Sequence, residues 1–230
     1  MMYNQETAIL LFSRTTVDEA ANKTIAKNTK LNLTVINGLQ QHTIAEIKKS
    51  KLPFFISDEN VQKQNSFAEK IKTAANTVFA KGFSRLIIIG NDCPELSSSL
   101  FLKADEELKK GNNIIGPDTN GGVYLIGITK ELFTSLDFEK INWQTNAVFS
   151  NIIEQLQSLH TAFAILDKFA DINTYSDIIS LLKKKLDHIS FFRWLKNLLL
   201  NVNFSFPNIS PENTGLSHLT IISRRGPPHL

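Results

Sequence analysis

The sequence predicts an α/β fold with a parallel or mixed sheet, on two observations. Short apolar runs of strand length alternate along the chain with segments whose apolar residues recur at the helical period. The clearest runs are almost continuously apolar, which is typical of strands covered on both faces. Alternating strands and helices favour a parallel or mixed sheet over a sandwich or a bundle.

Seven segments have the composition of strands, and the most hydrophobic of them is RLIIIG at residues 85–90. In chain order the predicted strands comprise residues 8–12, 31–36, 53–57, 85–90, 113–116, 121–128 and 161–166.

Helices are predicted between and after these strands, at residues 42–50, 66–81, 98–110, 147–159, 174–186 and 190–202. The amphipathic segment 190–202 fits either a membrane-surface or partner helix, or a C-terminal helix that covers the core, and the second interpretation is favoured. Residues 203–230 are rich in Pro, Asn and Ser and predict an extended tail. We therefore expect a domain at 1–189 and an appendage at 190–230.

Composition limits the function classes. The chain has 230 residues, 42% of them hydrophobic, and a net charge of +3 without a basic run long enough to predict nucleic-acid binding. One cysteine excludes an internal disulfide. The N-terminal apolar run is too short for a signal peptide, and no segment approaches the roughly 20 apolar residues of a membrane span. A cytoplasmic protein is expected, and nothing in the sequence predicts its oligomeric state.

Several common catalytic patterns are missing from the sequence. It contains no GxGxxG, P-loop, GxSxG, HExxH or paired CxxC motif. The five histidines have no metal-ligand spacing. These absences argue against a Rossmann dehydrogenase, a P-loop enzyme, a nucleophile-elbow hydrolase and a zinc enzyme.

Three polar clusters fall where strands are predicted to end, which is where open α/β sheets bind ligands. In the first, Asp92 follows the most hydrophobic strand, so it either binds a cation or a strong donor or caps the turn before Pro94. Cys93 beside it is expected to be a buried thiol, not a nucleophile.

The second and third clusters also have two interpretations each. Gly121 and Gly122 either let the backbone approach a ligand or form a simple turn. Asp171 and Asn173 offer two oxygens, but this segment also suits the cap of the helix predicted at 174–186.

Four motifs, taken in order, resemble those of the DUF2064 family: IIIGNDCPEL, IIGPDTNGGVYLIG, INWQT and DINTYSDI. This family is a group of bacterial GT-A-like glycosyltransferases, also described as transferase 1 of radical-SAM and selenium-related gene neighbourhoods. The resemblance covers about residues 7–185. It implies a GT-A-like nucleotide-diphospho-sugar transferase fold with a mixed, mostly parallel sheet between helices.

The resemblance also implies a site. Asp92, with Asn91 beside it, would hold a metal ion and phosphate, and Mg²⁺ or Mn²⁺ is the expected cofactor. Asp171 and Asn173 fall at the second metal-binding position of the family. The sugar or acceptor pocket would be formed by Gly121, Gly122 and Tyr124, with a loop over it from Trp143 and Thr145.

Three departures from the family pattern bear on activity. Asn120 and Asn173 stand where the pattern has aspartate, and an amide brings no negative charge to a metal. Asp118 is the nearest carboxylate that could replace the lost acid. The loop after the first strand lacks the family's glycine, so Arg14 and Lys23 either supply charge to a diphosphate or form an ordinary surface pair.

These features lead to three hypotheses for function. The first is a metal-dependent transferase that uses a nucleotide-diphosphate sugar and a small-molecule acceptor, with Asp92, Asp118 and Asn120 as catalytic residues. The second is a nucleotidyltransferase that releases pyrophosphate from the same metal site. The third is a catalytically degenerate nucleotide-binding protein of the same fold.

Overall fold

A single six-stranded sheet forms the centre of the molecule in the computed structural model, which describes residues 6–184, 186 and 188–200. The spatial order is β2-β1-β3-β5-β4-β6. All strands are parallel except β5, which runs antiparallel to both of its neighbours, β3 and β4. The strands are β1 (Thr7–Phe12), β2 (Phe54–Ser57), β3 (Arg85–Ile89), β4 (Asn113–Pro117), β5 (Val123–Thr129) and β6 (Phe163–Ile165). This arrangement confirms the predicted mixed, mostly parallel sheet.

Helices cover both faces of the sheet. They are α1 (Thr16–Asn22), α2 (Thr29–Ser50), α3 (Phe67–Phe79), α4 (Ser98–Lys109), α5 (Lys130–Ser135), α6 (Val148–Ser158), α7 (Tyr175–Leu182) and α8 (Ser190–Leu200), with a 3-10 helix at Phe138–Lys140. The sequence analysis missed α1, α5 and the 3-10 helix, each of which is seven residues or shorter.

The strand predicted at residues 31–36 is wrong, because these residues lie in the first two turns of the 22-residue helix α2. Its buried positions recur at helical spacing, at Asn32, Val35, Ile36, Leu39, Thr43, Glu46, Ile47 and Ser50. The β-branched Val35 and Ile36 are buried on this stripe, and tertiary packing therefore overrides their strand preference.

The two faces of the sheet bury two separate hydrophobic clusters. Along β1, Ala8 and Leu10 face one cluster with α3 and α6, whereas Ile9 and Leu11 face the other with α2 and α4. β3 repeats this alternation in register with β1. Both faces of these strands are apolar, which is why they appear in the sequence as continuous hydrophobic runs.

The C-terminal helix α8 packs on α2. Phe191, Phe192 and Leu195 are buried in a third cluster, and the Trp194 ring lies so close to Gly38 that a Cβ there would come within 2.2 Å of it. The expectation that this helix covers the core is confirmed. Residues 201–202 of the predicted helix and the tail at 203–230 lie outside the described residues, and the division at 189/190 stays a prediction.

Over the described part of the chain, none of the helices combines the length and the apolar character that crossing a membrane would require.

Candidate functional site

Three carboxylates from three parts of the chain meet at one edge of the sheet. Asp92 follows β3, Asp118 follows β4, and Asp171 follows β6, so each lies beyond the carboxyl end of a parallel strand. All three line a cavity of about 1000 Å³. The sequence analysis assigned these carboxylates to one site, and the sheet order brings them to the same cavity.

Backbone hydrogen bonds tie the three loops to one another. The Ile172 amide donates to the Asp92 carbonyl at 2.9 Å, and the Thr119 amide donates to the Phe169 carbonyl at 2.9 Å. The segment that carries Asp171 is thus fixed to both of the other loops, and the carboxylate spacing is set by the backbone.

Asp171 has the most perturbed carboxyl group of the three. Burial raises its pKa to about 8, and the charges of Asp92 and Asp118 add to this effect. Its Oδ1 atom is buried and meets no hydrogen-bond donor within the described residues. The interaction with the Asp118 carboxyl group also raises this pKa, which favours the protonated form of Asp171.

Asp92 forms an ion pair with Lys23. The Lys23 ammonium lies 2.7 Å from Asp92 Oδ1 and 3.2 Å from Glu19 Oε1, and its side chain is only 13% exposed. Burial alone would lower the pKa of Lys23, but the ion pairs with Asp92 and Glu19 raise it overall. Glu19 was not predicted from sequence, although its i,i+4 spacing from Lys23 is a detectable signal.

A buried amide on α2 holds Lys23 in place. Asn32 Oδ1 accepts hydrogen bonds from the amides of Ile25 and Ala26, and its Nδ2 donates to the carbonyls of Ala20 and Lys23. All four lengths fall between 2.7 and 3.2 Å. Asn32 positions the loop before α2, and the sequence carries no signal for this role because the contacts are tertiary.

The two adjacent glycines are required by close packing within the protein. A Cβ on Gly122 would come within 2.3 Å of Asp118 Oδ2, and the Gly122 amide donates to Asp118 Oδ1 at 2.9 Å. Gly121 has φ +90°, and a Cβ there would lie 2.1 Å from the Asn146 carbonyl oxygen. Gly122 therefore leaves room for the Asp118 carboxylate, and Gly121 leaves room for the backbone of the loop that follows Trp143.

The family model of DUF2064, described as "Uncharacterized protein conserved in bacteria", matches residues 26–145. This match spans more than half of the chain and includes Asp92 and Asp118. The chain belongs to the DUF2064 family. Lys23 and Asp171 lie outside the matched residues. No curated protein matches the sequence.

Solved structures share the fold of this DUF2064 protein. One is a protein from Desulfovibrio desulfuricans G20 proposed to be a nucleotide-diphospho-sugar transferase, with 20% identity, coverage of 85% of this chain and 96% of that chain, and a TM-score of 0.65. Another is Rv0371c from Mycobacterium tuberculosis H37Rv, with 8% identity, coverage of 80% and 100%, and a TM-score of 0.51. The manganese complex of Rv0371c has 8% identity, coverage of 79% and 100%, and a TM-score of 0.50. At these identities the likeness is one of fold, and it confirms the predicted nucleotide-diphospho-sugar transferase fold.

The same cavity collects the other predicted site residues, with the exception of Gly121. Those that line it besides the three carboxylates are Arg14, Lys23, Asn91, Asn120, Gly122, Tyr124, Trp143, Thr145 and Asn173. Tyr124 is 3% exposed and its hydroxyl donates to the Asp167 carbonyl at 2.8 Å, so it borders the cavity mainly with its ring. Asn120 and Asn173, the two departures from the family pattern, are both exposed.

Two side chains of α2 support the loop that carries Asp92. His42 Nε2 lies 3.0 Å from the Pro94 carbonyl oxygen, and Glu46 Oε2 accepts from the Ser98 amide at 3.0 Å. Cys93, directly before Pro94, is buried. Burial raises the pKa of its thiol well above the usual value, and the charge of Asp171 raises this pKa further. This environment agrees with the expectation of a buried thiol.

The donor atoms of the site suit a hard divalent cation. Asp92, Asp118 and Asp171 offer carboxylate oxygens, Asn173 offers an amide oxygen, and the buried Asp171 Oδ1 has no other partner in the described structure. Within the described residues no three acidic, His or Cys side chains already surround one point at ligand spacing. Mg²⁺ commonly takes one or two protein carboxylates plus substrate phosphates. This donor set can supply the protein carboxylates.

Proposed function

We propose that this protein is a transferase that moves a sugar from a nucleotide-diphosphate donor to the hydroxyl group of a small acceptor. The observation that carries the proposal is the convergence of Asp92, Asp118 and Asp171 with Lys23 in one cavity at the carboxyl edge of a transferase-like sheet. The relative from Desulfovibrio desulfuricans G20 supports the donor class through its name and fold alone.

The residues divide the reaction between them. The bond between the sugar's anomeric carbon and the diphosphate oxygen breaks, and the electron pair stays with the diphosphate. The acceptor oxygen forms the new bond to the anomeric carbon, and its proton passes to a carboxylate. Asp118 is our candidate for this base because its Oδ1 is held by the amides of Asn120 and Gly122 at 2.6 and 2.9 Å.

A divalent ion, Mg²⁺ or Mn²⁺, would be held by Asp92 and Asp171, with Asn173 as a neutral ligand. When bound, it neutralises the charge that develops on the leaving diphosphate. Lys23 and Arg14 supply the remaining positive charge in the cavity, and both can bind phosphate oxygens.

Binding and product formation test the proposal together. A panel of nucleotides and nucleotide sugars is screened for thermal stabilisation with and without Mg²⁺ or Mn²⁺. A ligand at about 100 times its dissociation constant should stabilise the protein by about 2.7 kcal/mol. Release of nucleoside diphosphate from a sugar donor supports the proposal, whereas release of pyrophosphate from a nucleoside triphosphate supports a nucleotidyltransferase.

A second candidate is a nucleotide-binding protein without turnover. Two of the three carboxylates are partly compensated without a metal ion, because Lys23 pairs with Asp92 and the raised pKa of Asp171 favours its protonated form. Changing Asn120 and Asn173 together to aspartate restores the family's acidic pattern and separates the two candidates. In a working transferase the added charges repel their neighbours and reduce donor turnover. A silent parent and an active double variant would favour the binding protein.

A further inference from the structure

Three aromatic side chains form one wall of the cavity, which we call the aromatic wall: Phe12, Phe67 and Trp143. Each is partly exposed. The Phe12 and Phe67 ring centroids are 5.3 Å apart with an interplanar angle of 75°, and those of Phe67 and Trp143 are 5.1 Å apart at 37°. The rings thus form a continuous apolar surface within the same cavity as the carboxylates.

The aromatic wall is fixed from behind. Trp143 stacks on the buried Phe138, with ring centroids 6.0 Å apart and an angle of 16°, and its indole N–H donates to the Phe138 carbonyl at 2.8 Å. Phe67 is the first residue of α3, whose amino end is held by a reciprocal capping box between Ser66 and Glu69. A surface held in this way loses little conformational entropy when a ligand covers it.

The chemistry of the wall differs from that of the carboxylate site. The segments that carry the wall bring two cations to the cavity: Lys70, and Arg14, which is paired with Asp18 at 3.5 Å. Around Phe67 and Trp143 the other polar groups are neutral, namely Asn65, Gln144, Thr145 and Asn146. Binding a multiply charged phosphate here would leave most of its charge without a partner. A neutral ring with hydroxyl groups matches both the apolar face and the amides around it.

The size of the cavity leaves room for such a ligand beside a donor. Pockets for one small ligand measure about 300–1000 Å³. At about 1000 Å³ this cavity is at the upper end of that range. The volume is about three times that of the smallest such pockets, so a small ring at the aromatic wall would leave most of the cavity to a donor.

We propose that the aromatic wall is the acceptor subsite, and that the acceptor is a neutral ring-shaped alcohol that lies flat against Phe67 and Trp143. This inference rests on the proposed transferase function. A pyranose presents a flat C–H face and an aromatic alcohol presents a π face, and the wall binds either by the same apolar stacking.

The experiment uses the tryptophan of the wall as its reporter. The chain has two tryptophans, so Trp194→Phe leaves Trp143 as the only one. In this background the emission of Trp143 is titrated with methyl glucoside, with 4-hydroxybenzyl alcohol and with glycerol 3-phosphate, a charged compound without a ring. We expect one of the two ring probes to change the emission, and the phosphate to have no effect.

Substitutions then assign the signal to the wall. Phe67→Leu keeps an apolar side chain but removes the ring, and should weaken binding of the ring probe about 3- to 10-fold. Phe67→Tyr keeps the ring and should retain binding. Lys23→Met lies on the charged side of the cavity and should leave ring binding unchanged while it weakens nucleotide binding.

Three results would overturn the inference. The first is that neither ring probe binds, and the second is that Phe67→Leu binds the probe as well as the parent does. The third is that uridine or guanosine, which lack phosphate, displaces the ring probe from Trp143, because the wall would then belong to the donor's base. If ring probes bind through Phe67 but no nucleotide binds, the proposed donor chemistry fails and the ring subsite stands.

Discussion

Two loops meet at the ion pair between Lys23 and Asp92, and they are held by different forces. The loop after β3 buries Cys93 and Leu96 in the core, and α2 fixes its backbone through His42 and Glu46. The loop after β1 leads into α1, a helix in which no side chain is fully buried.

The second loop is held by apolar packing only at its far end, where Ala20, Ile25 and Ala26 lie in the third cluster. Near the cavity its contacts are polar. The Thr15 hydroxyl bonds to the Glu59 carboxylate, the Thr16 hydroxyl bonds to Gln40, and Asn32 bonds to the backbone on both sides of Lys23. Apolar packing fixes the loop that carries Asp92, whereas ion pairs and hydrogen bonds fix Lys23, whose side chain is only 13% exposed.

The largest expected effect is the loss of transfer activity when Asp92 is changed. Asp92→Asn removes one negative charge without changing shape, and should reduce metal-dependent transfer at least about 100-fold because the leaving diphosphate loses its counter-ion. Release of nucleoside diphosphate under Mg²⁺ measures it. Asp167→Asn, an exposed acid outside the cavity, is the matched control. Equal turnover and equal metal dependence in Asp92→Asn and the parent would contradict the assignment.

The next effect concerns the support of the second loop. Asn32→Leu leaves two backbone amides and two carbonyls without partners, and should lower the free energy of unfolding by about 3 kcal/mol. Chemical denaturation measures this loss, and nucleotide affinity should fall with it because Lys23 is no longer positioned. Asn28→Ala, which removes only the cap of α2, should cost about 1 kcal/mol and spare the affinity. If Asn32→Leu costs no more than this cap, Asn32 does not hold the loop.

A change at Lys23 itself tests whether it competes with the cation. In Lys23→Met the Asp92 carboxylate is free, so Mn²⁺ should bind at least about tenfold more tightly in the absence of nucleotide. Electron paramagnetic resonance of free Mn²⁺ measures this affinity. Lys140→Met removes an exposed lysine that is paired with Asp137 and should change nothing. Weaker Mn²⁺ binding in Lys23→Met would mean that the lysine assists the metal site and does not block it.

The smallest effect is a pH dependence of stability that comes from His42, which supports the loop after β3. Burial lowers the pKa of His42 below its usual 6.5, with Glu46 and Lys49 as the charged neighbours. The unfolded state then binds more protons, so the stability due to neutral His42 is complete above pH 6.5 and is lost as the pH falls below it. Urea unfolding midpoints between pH 5 and 7 should fall less in His42→Gln than in the parent. The exposed His188→Gln should behave as the parent, and identical pH profiles in all three proteins would exclude the effect.

The sequence predicted the loop that carries Asp92 better than the loop that carries Lys23. Asp92 was found because it follows a continuous apolar run, and such runs identify buried parallel strands and their ends. Lys23 was proposed with two equal interpretations, and only the fold shows that its ammonium reaches a carboxylate 69 positions away. Asn32 was placed on a strand because LNLTVI is rich in β-forming residues, and its buried amide has no local pattern. Phe67 was likewise invisible as a site residue, since its contacts with Phe12 and Trp143 are between distant segments.

The helix α2 fixes the relative position of the loops after β1 and β3. Asn32 and Gln40 hold the loop after β1, and His42 and Glu46 hold the loop after β3, so one rigid rod carries both sets of contacts. An inserted residue turns everything beyond it by about 100° relative to what precedes it. A single insertion between residues 33 and 38 would therefore rotate Asn32 relative to Gln40, His42 and Glu46. The backbone around Lys23 would lose its support while every side chain of the cavity stays chemically intact.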